Sequence, residues 1–447
     1  MIFEPDFECA SRDRLHALQS ERLQALVQRV AAHVPMYGRR FAESGVDVGA
    51  IRSIDDVRRL PVTRKSDLRD NYPLGLLAVP REDLRRIHAS SGTTGKPTVV
   101  AYTAADVDLF ARVCARSLAM AGGEPGMMLH NAYGYGLFTG GLGLHYGGER
   151  LGMNVVPVSG GMTERQIMLI TDLRPDMISC TPSYALTLVS EFRKRGVPPD
   201  AISLKYAVLG AEPWTDAMRT QIDAGLGVRS TNIYGLSEII GPGVCNECVE
   251  QRSGSHINED HFYPEILDPG TGDVLPEGAE GVLVLTTLTK EALPLIRYWT
   301  GDITSLSRER CGCGRTLVRM QLIRGRTDDM LIIRGVNVYP SQVESVLGRV
   351  PELSPHYRLI VSRDGTLDDI EVQTEVDEPF FREVGRDAIS DEIVEADHRL
   401  GALRARVAFL IHDIVGVSMK VTLLAPGGAP RSEGGKLNRV VDRRPRG

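Results

Sequence analysis

The segment "LKYAVLGAEPWT" (204–215) is a short apolar run that leads into a polar turn, and it decides the fold class. The segments "NVVPVS" (154–159) and "DMISCTPS" (176–183) repeat this pattern, and the helical pattern of "TERQIMLITDLRP" (163–175) lies between them. Such alternation is typical of a mainly parallel sheet covered by helices. The sequence therefore predicts an α/β fold. Ligands of such sheets bind beyond the carboxyl ends of the strands, where we expect the loops "GAEP" (210–213) and "YGLSE" (234–238).

The chain length and changes in texture predict more than one domain. A chain of 447 residues is too long for a single hydrophobic core. Residues 259–323 are rich in short strands, Gly and Pro, which predicts a small β subdomain. The charged segment "RGRTDD" (324–329) then precedes a compact α+β pattern. We therefore predict an N-terminal domain over 1–326, which includes the β subdomain, and a C-terminal domain over 327–447.

Composition limits the partners and the location of the protein. The formal net charge is −6, which argues against general nucleic-acid or membrane binding. The N-terminal residues are acidic where a signal peptide would be basic, so we expect a cytoplasmic protein. The seven cysteines cannot all pair with one another, and clustered cysteines in a reducing compartment more often indicate a metal than disulfides.

Four of the cysteines form two close pairs in the sequence, Cys245 with Cys248 and Cys311 with Cys313, and they suggest a structural zinc site. Cys248, His256, Cys311 and Cys313 would form a Cys₃His set, which matches the tetrahedral N/S coordination of structural zinc. Cys245 is a competing ligand and His261 a weaker one. The alternative is that Cys245 and Cys248 are buried small residues and that "CGCG" (311–314) is a tight turn.

The segment "SSGTTGK" (90–96) has the residues of an anion-binding loop without the Walker spacing. Its glycines allow backbone N–H groups to converge, and its hydroxyls add donors. A Walker loop would need Gly where Ser90 stands and a hydroxyl residue where Pro97 stands. The alternative is a solvated turn between strands.

Three further stretches have residues suited to a nucleotide, although each alone also fits an ordinary loop or tail. In "TNIYGLSEIIGPG" (231–243), Tyr234 could stack on a base and Glu238 could bind Mg²⁺. In "RYWTGDIT" (297–304), Asp302 could accept ribose hydroxyls. In "RSEGGKLNRVVDRR" (431–444), Lys436 lies on a Gly-rich turn and could supply a compact positive charge.

These motifs occur in an order that resembles the adenylate-forming acyl-CoA synthetases, and most of all the phenylacetate–CoA ligase branch. The segments "NAYGYGLFTGGLGLHYG" (131–147) and "LTKEALPLIRY" (288–298) extend the likeness beyond the nucleotide motifs. The resemblance implies a large α/β N-terminal domain with a small β subdomain, followed by a mobile α+β C-terminal domain. It also implies ATP, Mg²⁺ and coenzyme A as cofactors and a two-step reaction. A carboxylate attacks the α-phosphate of ATP and releases pyrophosphate, and the coenzyme A thiol then displaces AMP.

The resemblance also implies roles for individual residues. Lys436 and Glu238 would be catalytic, with Glu238 as the magnesium ligand, and Asp328 would be the hinge of the C-terminal domain. The residues implied for nucleotide binding are Ser91, Gly92, Thr93, Thr94, Gly95, Gly210, Ala211, Glu212, Pro213, Asn232, Tyr234, Gly235, Ser237, Asp302 and Arg326. Those implied for the acyl group, which we expect to be aryl or arylacetic, are Tyr135, Gly136, Phe138 and Ala211.

Two other functions remain compatible with the motifs. The same adenylation step could load an aryl acid onto a carrier-protein thiol in natural-product biosynthesis, with the second half-reaction as the difference. A zinc-stapled nucleotide-binding module without catalysis would not need Lys436. Members of the branch suggest a homodimer.

Overall fold

The structure is a computed structural model that describes residues 1–89, 97–198, 201–327, 331–333, 336–364, 367–431 and 439–444. The α-helices are α1 Pro5–Glu8, α2 Arg12–His33, α3 Pro35–Glu43, α4 Lys65–Asp70, α5 Ala104–Met120, α6 Gly140–Leu151, α7 Thr163–Leu173, α8 Pro182–Lys194, α9 Asp216–Leu226, α10 Pro340–Leu347, α11 Glu378–Val384, α12 Asp391–Ala396 and α13 His398–Val415. Short 3₁₀ helices span Val48–Ala50, Ile54–Arg59 and Arg81–Asp83.

The strands follow the same chain order. They are β1 Leu84–Ala89, β2 Val99–Thr103, β3 Met128–Asn131, β4 Asn154–Val156, β5 Met177–Cys180, β6 Tyr206–Gly210, β7 Arg229–Leu236, β8 Gly241–Glu247, β9 Ser255–Ile257, β10 Phe262–Leu267, β11 Gly281–Thr287, β12 Tyr298–Thr304, β13 Leu306–Ser307, β14 Arg319–Met320, β15 Gly325–Arg326, β16 Leu331–Ile333, β17 Val336–Val338, β18 Leu353–Asp364, β19 Leu367–Val376, β20 Lys420–Leu424 and β21 Val440–Asp442.

A nine-stranded sheet is the centre of the N-terminal part, and it confirms the predicted α/β class. Its order is β13-β14-β9-β8-β7-β6-β5-β3-β4. The strands from β4 to β7 pair in parallel, whereas those from β7 to β13 pair antiparallel. The three predicted strands are β4, β5 and β6, and the predicted helix between the first two is α7.

Both faces of this sheet are buried, and the alternation of side chains along β6 shows how. Val208 belongs to a core formed with α5 and the N-terminal helices, whereas Ala207 and Leu209 belong to a second core formed with α7, α8 and α9. Successive residues of a strand point to opposite faces, so a short apolar run without polar alternation is what a doubly covered sheet requires.

The strand-rich segment after 259 is divided between two sheets. Strands β10, β11, β12 and β15 form a separate four-stranded antiparallel sheet. Strands β13 and β14 instead extend the large sheet beside β9. The loop between β13 and β14, which contains Cys311 and Cys313, is thereby brought to the large sheet.

The C-terminal part has a hydrophobic core of its own, formed by residues between 331 and 423. Its sheet has the order β20-β19-β18-β21, and α10, α12 and α13 contribute buried side chains to the same core. The α+β character that the sequence predicts is confirmed. Across the described ranges, no helix combines the length and apolar character needed to cross a bilayer.

Candidate active site

The loop over 210–213, which the resemblance implies lies against the adenine and which we call the adenine loop, begins where β6 ends. Gly210 lies so close to β7 that a Cβ there would be 2.1 Å from the carbonyl oxygen of Ile233. Ala211 has a left-handed backbone with φ of 72°. The carboxylate of Glu212 accepts a hydrogen bond of 2.6 Å from the backbone N–H of Ser183. The glycine is thus required by close packing, and the loop is fixed against the start of α8.

Strand β7 carries the next group of predicted nucleotide residues. The side-chain oxygen of Asn232 accepts a hydrogen bond of 3.0 Å from the indole N–H of Trp214, which follows the adenine loop. Gly235 allows the turn into β8, because a Cβ there would lie 1.8 Å from the carbonyl oxygen of Gly241. The Ser237 hydroxyl is 3.3 Å from that of Thr139. These contacts fix the β7 end without any ligand.

Tyr234, Asp302 and Arg326 come together from three different strands. The Tyr234 hydroxyl donates a 2.6 Å hydrogen bond to one carboxylate oxygen of Asp302, and Arg326 forms an ion pair with the other oxygen. The Arg326 guanidinium also donates to the carbonyl of Thr300. Burial raises the pKa of Tyr234 well above its usual value, so the phenol remains a donor. The sequence predicted a nucleotide role for each residue but not this direct chain.

Glu238 lies on the turn between β7 and β8, next to a small cavity. Its side chain is nearly buried, and one carboxylate oxygen is 3.4 Å from the Tyr298 hydroxyl. Other residues that line the cavity include Asn71 and, at the start of β2, Val99. The predicted anion-binding segment 90–96, which we call the phosphate loop, lies between β1 and β2 in the chain, so Glu238 lies near the residue where β2 begins.

Three of the four residues predicted for the acyl group lie on the segment between β3 and α6, whereas Ala211 lies on the loop after β6. Tyr135 points its hydroxyl into a polar cluster, where Asn131 donates to it at 2.8 Å and His145 Nδ1 is 3.2 Å away. Phe138 folds over Gly140, since a Cβ there would be 2.4 Å from the Phe138 ring. Gly136 is exposed, with φ of 125°.

Tyr133 was missed by the sequence analysis. Its hydroxyl is buried without a hydrogen-bond partner among the described residues. Burial raises the pKa of Tyr133, and Cys180, Glu212 and the backbone of Gly210 are the other groups that influence it. The ring therefore lies by the adenine loop. Its position just past the carboxyl end of β3 was the signal that could have identified it.

Seven of the predicted site residues are not among the described residues. They are Ser91, Gly92, Thr93, Thr94, Gly95, Asp328 and Lys436. The flanks of the segment with Lys436 are described: Arg431 pairs with Glu375 at 2.6 Å, and Arg439 pairs with Glu344 at 2.7 Å.

The C-terminal part contacts the N-terminal part near the adenine loop. A Cβ added to Gly348 would be 3.4 Å from the side chain of Ala217, on α9. The Ser341 hydroxyl donates to the carbonyl of Arg324. Burial raises the pKa of Glu344, and Glu212 is one of the charges that raise it further. The end of α10 therefore faces the element that follows the predicted nucleotide loop.

The predicted zinc ligands form one cluster. The donor atoms of Cys248, His256, Cys311 and Cys313 all lie within 4.8 Å of one another. The Cys248 and Cys311 sulfurs are 3.5 Å apart, and the Cys313 sulfur is 3.5 Å from His256 Nε2. Four ligands with Zn–S bonds near 2.3 Å place their sulfurs about 3.8 Å apart, so the spacing fits zinc.

The two competing ligands lie elsewhere. Cys245 is buried in β8 and pairs with Tyr234 and Ile257 in the sheet, outside the cluster. His261 contacts Asp260 at 3.0 Å and the Thr289 hydroxyl at 2.8 Å. The structure therefore favours the set of Cys248, His256 and the two cysteines of the β13–β14 loop.

Comparison with known proteins shows the family to which the chain belongs. Residues 16–288 match the model of the AMP-binding enzymes, and residues 335–444 match the AMP-binding enzyme C-terminal domain. A phenylacetate-coenzyme A ligase of Thermus thermophilus is 68% identical over 444 residues, which cover 99% of this chain and 100% of the relative. The chain belongs to the phenylacetate–CoA ligase branch of the adenylate-forming enzymes. The branch member of Escherichia coli K12 is 51% identical, over 98% of this chain and 97% of its own.

Two solved structures of a more distant ligase resemble the chain to different extents. A 2-hydroxyisobutyryl-CoA ligase in the postadenylation state, bound to 2-HIB-AMP, has a TM-score of 0.87 at 27% identity, over 98% of this chain and 91% of that one. The same ligase in the thioesterification state has a TM-score of 0.71 at 28% identity, with coverage of 98% and 92%. The structure of this branch member is thus more similar to the postadenylation form.

Proposed function

We propose that the protein activates an aryl or arylacetic acid with ATP and transfers the acyl group to coenzyme A. It is an AMP-forming acid–thiol ligase. The observation that carries the proposal is the convergence of the adenine loop, the chain of Tyr234, Asp302 and Arg326, and Glu238 at the carboxyl end of the parallel strands. Relatives that align over their full length are named phenylacetate-coenzyme A ligases, which supports the aryl substrate and coenzyme A.

In the first step, a carboxylate oxygen of the acid attacks the α-phosphorus of ATP and pyrophosphate leaves. Asp302 accepts the ribose hydroxyls, with its carboxylate oriented by Tyr234 and Arg326. The hydroxyls and backbone of Ser91, Thr93 and Thr94, with Gly92 and Gly95, close on the β- and γ-phosphates. Lys436 neutralises the charge that develops between the acid and the α-phosphate. In-line displacement at phosphorus needs this positioning and charge compensation rather than a protein nucleophile.

Glu238 suits the magnesium ion that accompanies the nucleotide. Magnesium prefers one or two carboxylates together with phosphate oxygens, and it neutralises phosphate charge when bound. The Glu238 carboxylate is nearly buried and borders the cavity near the start of β2. We propose that its oxygens face the phosphates through the magnesium ion.

In the second step, the coenzyme A sulfur attacks the acyl carbonyl carbon, and AMP leaves with the electron pair of the broken bond. We propose that a C-terminal domain over 327–447 turns about Asp328 between the two steps, relative to an N-terminal domain over 1–326. The separate core of the C-terminal part and the difference between the two TM-scores support such a motion.

The acyl pocket is proposed to lie between Ala211 and the segment with Gly136 and Phe138. Tyr133, which lies by the adenine loop, is a better candidate for an aromatic wall than Tyr135, whose hydroxyl is held by Asn131. Apolar and aromatic lining with few polar groups suits an aryl acid.

The cysteine cluster is proposed to bind a structural zinc ion. Three sulfurs and one imidazole nitrogen at this spacing suit the tetrahedral coordination of structural zinc. They come from the end of β8, from β9 and from the β13–β14 loop. Zinc would therefore attach the β13–β14 loop to the end of β8 and to β9. Protein purified without an affinity tag should contain about one zinc per chain, and a content far below one contradicts the proposal.

The location and assembly complete the proposal. A reaction that consumes ATP and coenzyme A is expected in the cytoplasm, and resemblance to the branch suggests a homodimer. Neither a nucleic acid nor a membrane is an expected partner.

The test is a panel of aryl, arylacetic and aliphatic acids, assayed for AMP release and thioester formation with and without coenzyme A. We expect aryl or arylacetic acids to be preferred and a thioester to accumulate only with coenzyme A. Adenylation without any transfer to coenzyme A would favour the carrier-protein alternative. Absence of response to every aryl acid contradicts the proposed substrate class.

A further inference from the structure

Lys290 is a fully buried lysine that the proposed reaction does not use. It lies in the loop after β11, and its side chain is 1% exposed. Lysine is almost never fully buried unless it is paired, because removal of an ammonium from water is costly. In the part of the chain that the structure describes, no carboxylate forms a salt bridge with it. Packing alone does not account for a charge at this position.

The ammonium contacts the turn that carries Glu238. Lys290 Nζ donates a 3.1 Å hydrogen bond to the backbone carbonyl of Glu238. It also lies 5.1 Å from the centre of the Tyr102 ring, within the range of a cation–π interaction. Burial lowers the pKa of Lys290 to about 8, against the attraction of Asp106 and Glu238.

The same turn is held at a second point. The Tyr102 hydroxyl donates a 3.0 Å hydrogen bond to the carbonyl of Ile240, two residues beyond Glu238. The N–H groups of Ile239 and Ile240 both donate to the carbonyl of Leu236. The turn is therefore closed by its own backbone and fixed from outside by Lys290 and Tyr102.

Lys290 is itself anchored to the N-terminus of α5. The backbone N–H groups of Glu291 and Ala292 donate to the Asp106 carboxylate at 2.7 and 2.9 Å. Asp106 also accepts a hydrogen bond from the backbone N–H of Thr103, which is the N-cap of α5. The Thr103 hydroxyl in turn donates to the Glu291 carboxylate at 2.9 Å. These hydrogen bonds fix Lys290 relative to the start of α5, and Lys290 in turn contacts the turn that carries Glu238.

We propose that Lys290 is a positioning residue whose ammonium, together with the Tyr102 hydroxyl, fixes the turn that holds the Glu238 carboxylate. The inference rests on the proposed function, in which Glu238 binds magnesium. Tyr102 lies on β2, the strand that follows the phosphate loop in the chain, so its hydroxyl links that strand to the turn that carries Glu238.

The test measures the turn and the metal dependence separately. In Lys290→Met, backbone amides over 236–240 should exchange with deuterium at least about tenfold faster, because a hydrogen bond from a charged donor is lost. The magnesium concentration for half-maximal pyrophosphate release should rise about tenfold, with the KM of the acid unchanged. Tyr102→Phe removes only the second hydrogen bond and should produce a smaller change of the same kind.

Lys205→Met is the matched control. Lys205 is an exposed lysine that pairs with Asp176 at 2.8 Å on the surface, and its loss should leave both readouts unchanged. Unchanged amide exchange in folded Lys290→Met overturns the inference, as does a lowered magnesium requirement, which would identify a repelling charge instead.

Glu238→Gln separates failure of the inference from failure of the proposed function. If Glu238→Gln leaves the magnesium dependence intact, the role proposed for Glu238 is wrong, while amide exchange still tests the hold on the turn. If Glu238→Gln raises the magnesium requirement and Lys290→Met changes neither readout, only the inference is wrong.

Discussion

The antiparallel strands β7, β8 and β9 carry two sites that are organised in opposite ways. At the nucleotide site, the functional groups already have protein partners: Asp302 contacts Tyr234 and Arg326, and the Glu238 backbone contacts Lys290. In the cysteine cluster, the proposed metal donors instead face one another: Cys248 Sγ is 3.5 Å from Cys311 Sγ, and Cys313 Sγ is 3.5 Å from His256 Nε2. The difference teaches that the first site is preorganised by the fold, whereas the second would be completed by a metal.

Loss of Asp302 is expected to have a large effect on catalysis. Asp302→Ala removes the proposed ribose contact and leaves Arg326 without the Asp302 carboxylate, so the KM of ATP should rise about 10–100-fold, as expected for hydrogen bonds to a charged group. Steady-state kinetics with varied ATP measure this. Asp176→Ala, at a surface pair, is the control; an unchanged KM in Asp302→Ala would show that the chain of three residues is only structural.

Loss of the cluster should affect stability more than catalysis. Cys313→Ser removes a thiolate ligand, so zinc content should fall and the melting temperature should decrease by several degrees, because a ligand bound only to the folded state stabilises it. Calorimetry with and without a chelator measures the change, with Cys245→Ser as a cysteine outside the cluster. Equal chelator sensitivity of wild type and Cys313→Ser would contradict a metal at this site.

The buried ammonium of Lys290 should lower the free energy of unfolding of the protein by an amount that depends on pH. The folded-state pKa of Lys290 is lowered to about 8, below the unfolded value near 10.4, so the unfolded chain binds more protons between these values. The stability of the wild type should therefore rise from pH 8 to 10 relative to Lys290→Met. Urea unfolding at several pH values measures the difference, and parallel curves for the two proteins would contradict a buried charge.

The smallest effect is expected at Tyr135. Tyr135→Phe removes a hydroxyl that contacts Asn131 and His145, so it should cost about 0.5–1.5 kcal/mol of stability. The KM of the acid should change less than threefold. Tyr133→Phe, next to the adenine loop, is the matched comparison. A larger change in the KM of the acid for Tyr135→Phe than for Tyr133→Phe would indicate that Tyr135 lines the acyl pocket.

The sequence predicted the elements whose patterns are local. The helix predicted over 163–175 appeared as α7, and the strand-to-turn segments appeared as β4, β5 and β6, because periodicity and turn residues are encoded in neighbouring positions. An inner strand of the C-terminal sheet was harder to predict. Strand β18 was missed, because its charged residues, such as Arg358 and Arg363, pair with β19 and weaken the apolar signal.

The sequence named candidate residues for the site but not the contacts between them. The four zinc candidates were identified from composition, but the exclusion of Cys245 needed the pairing of β8 with its neighbours. The direct bond from Tyr234 to Asp302 depends on two different sheets, and the burial of Lys290 depends on α5 and β2. No local pattern encodes such tertiary neighbours.

The central claim is that the protein forms an acyl-adenylate with the help of Lys436. ATP–pyrophosphate exchange with phenylacetate, in the absence of coenzyme A, tests it most directly. We predict exchange that depends on the acid in the wild type and a loss of about 10²–10³-fold in Lys436→Ala, the usual effect of removing a group that stabilises transition-state charge. Full exchange in folded Lys436→Ala, or no acid-dependent exchange in the wild type, would contradict the account.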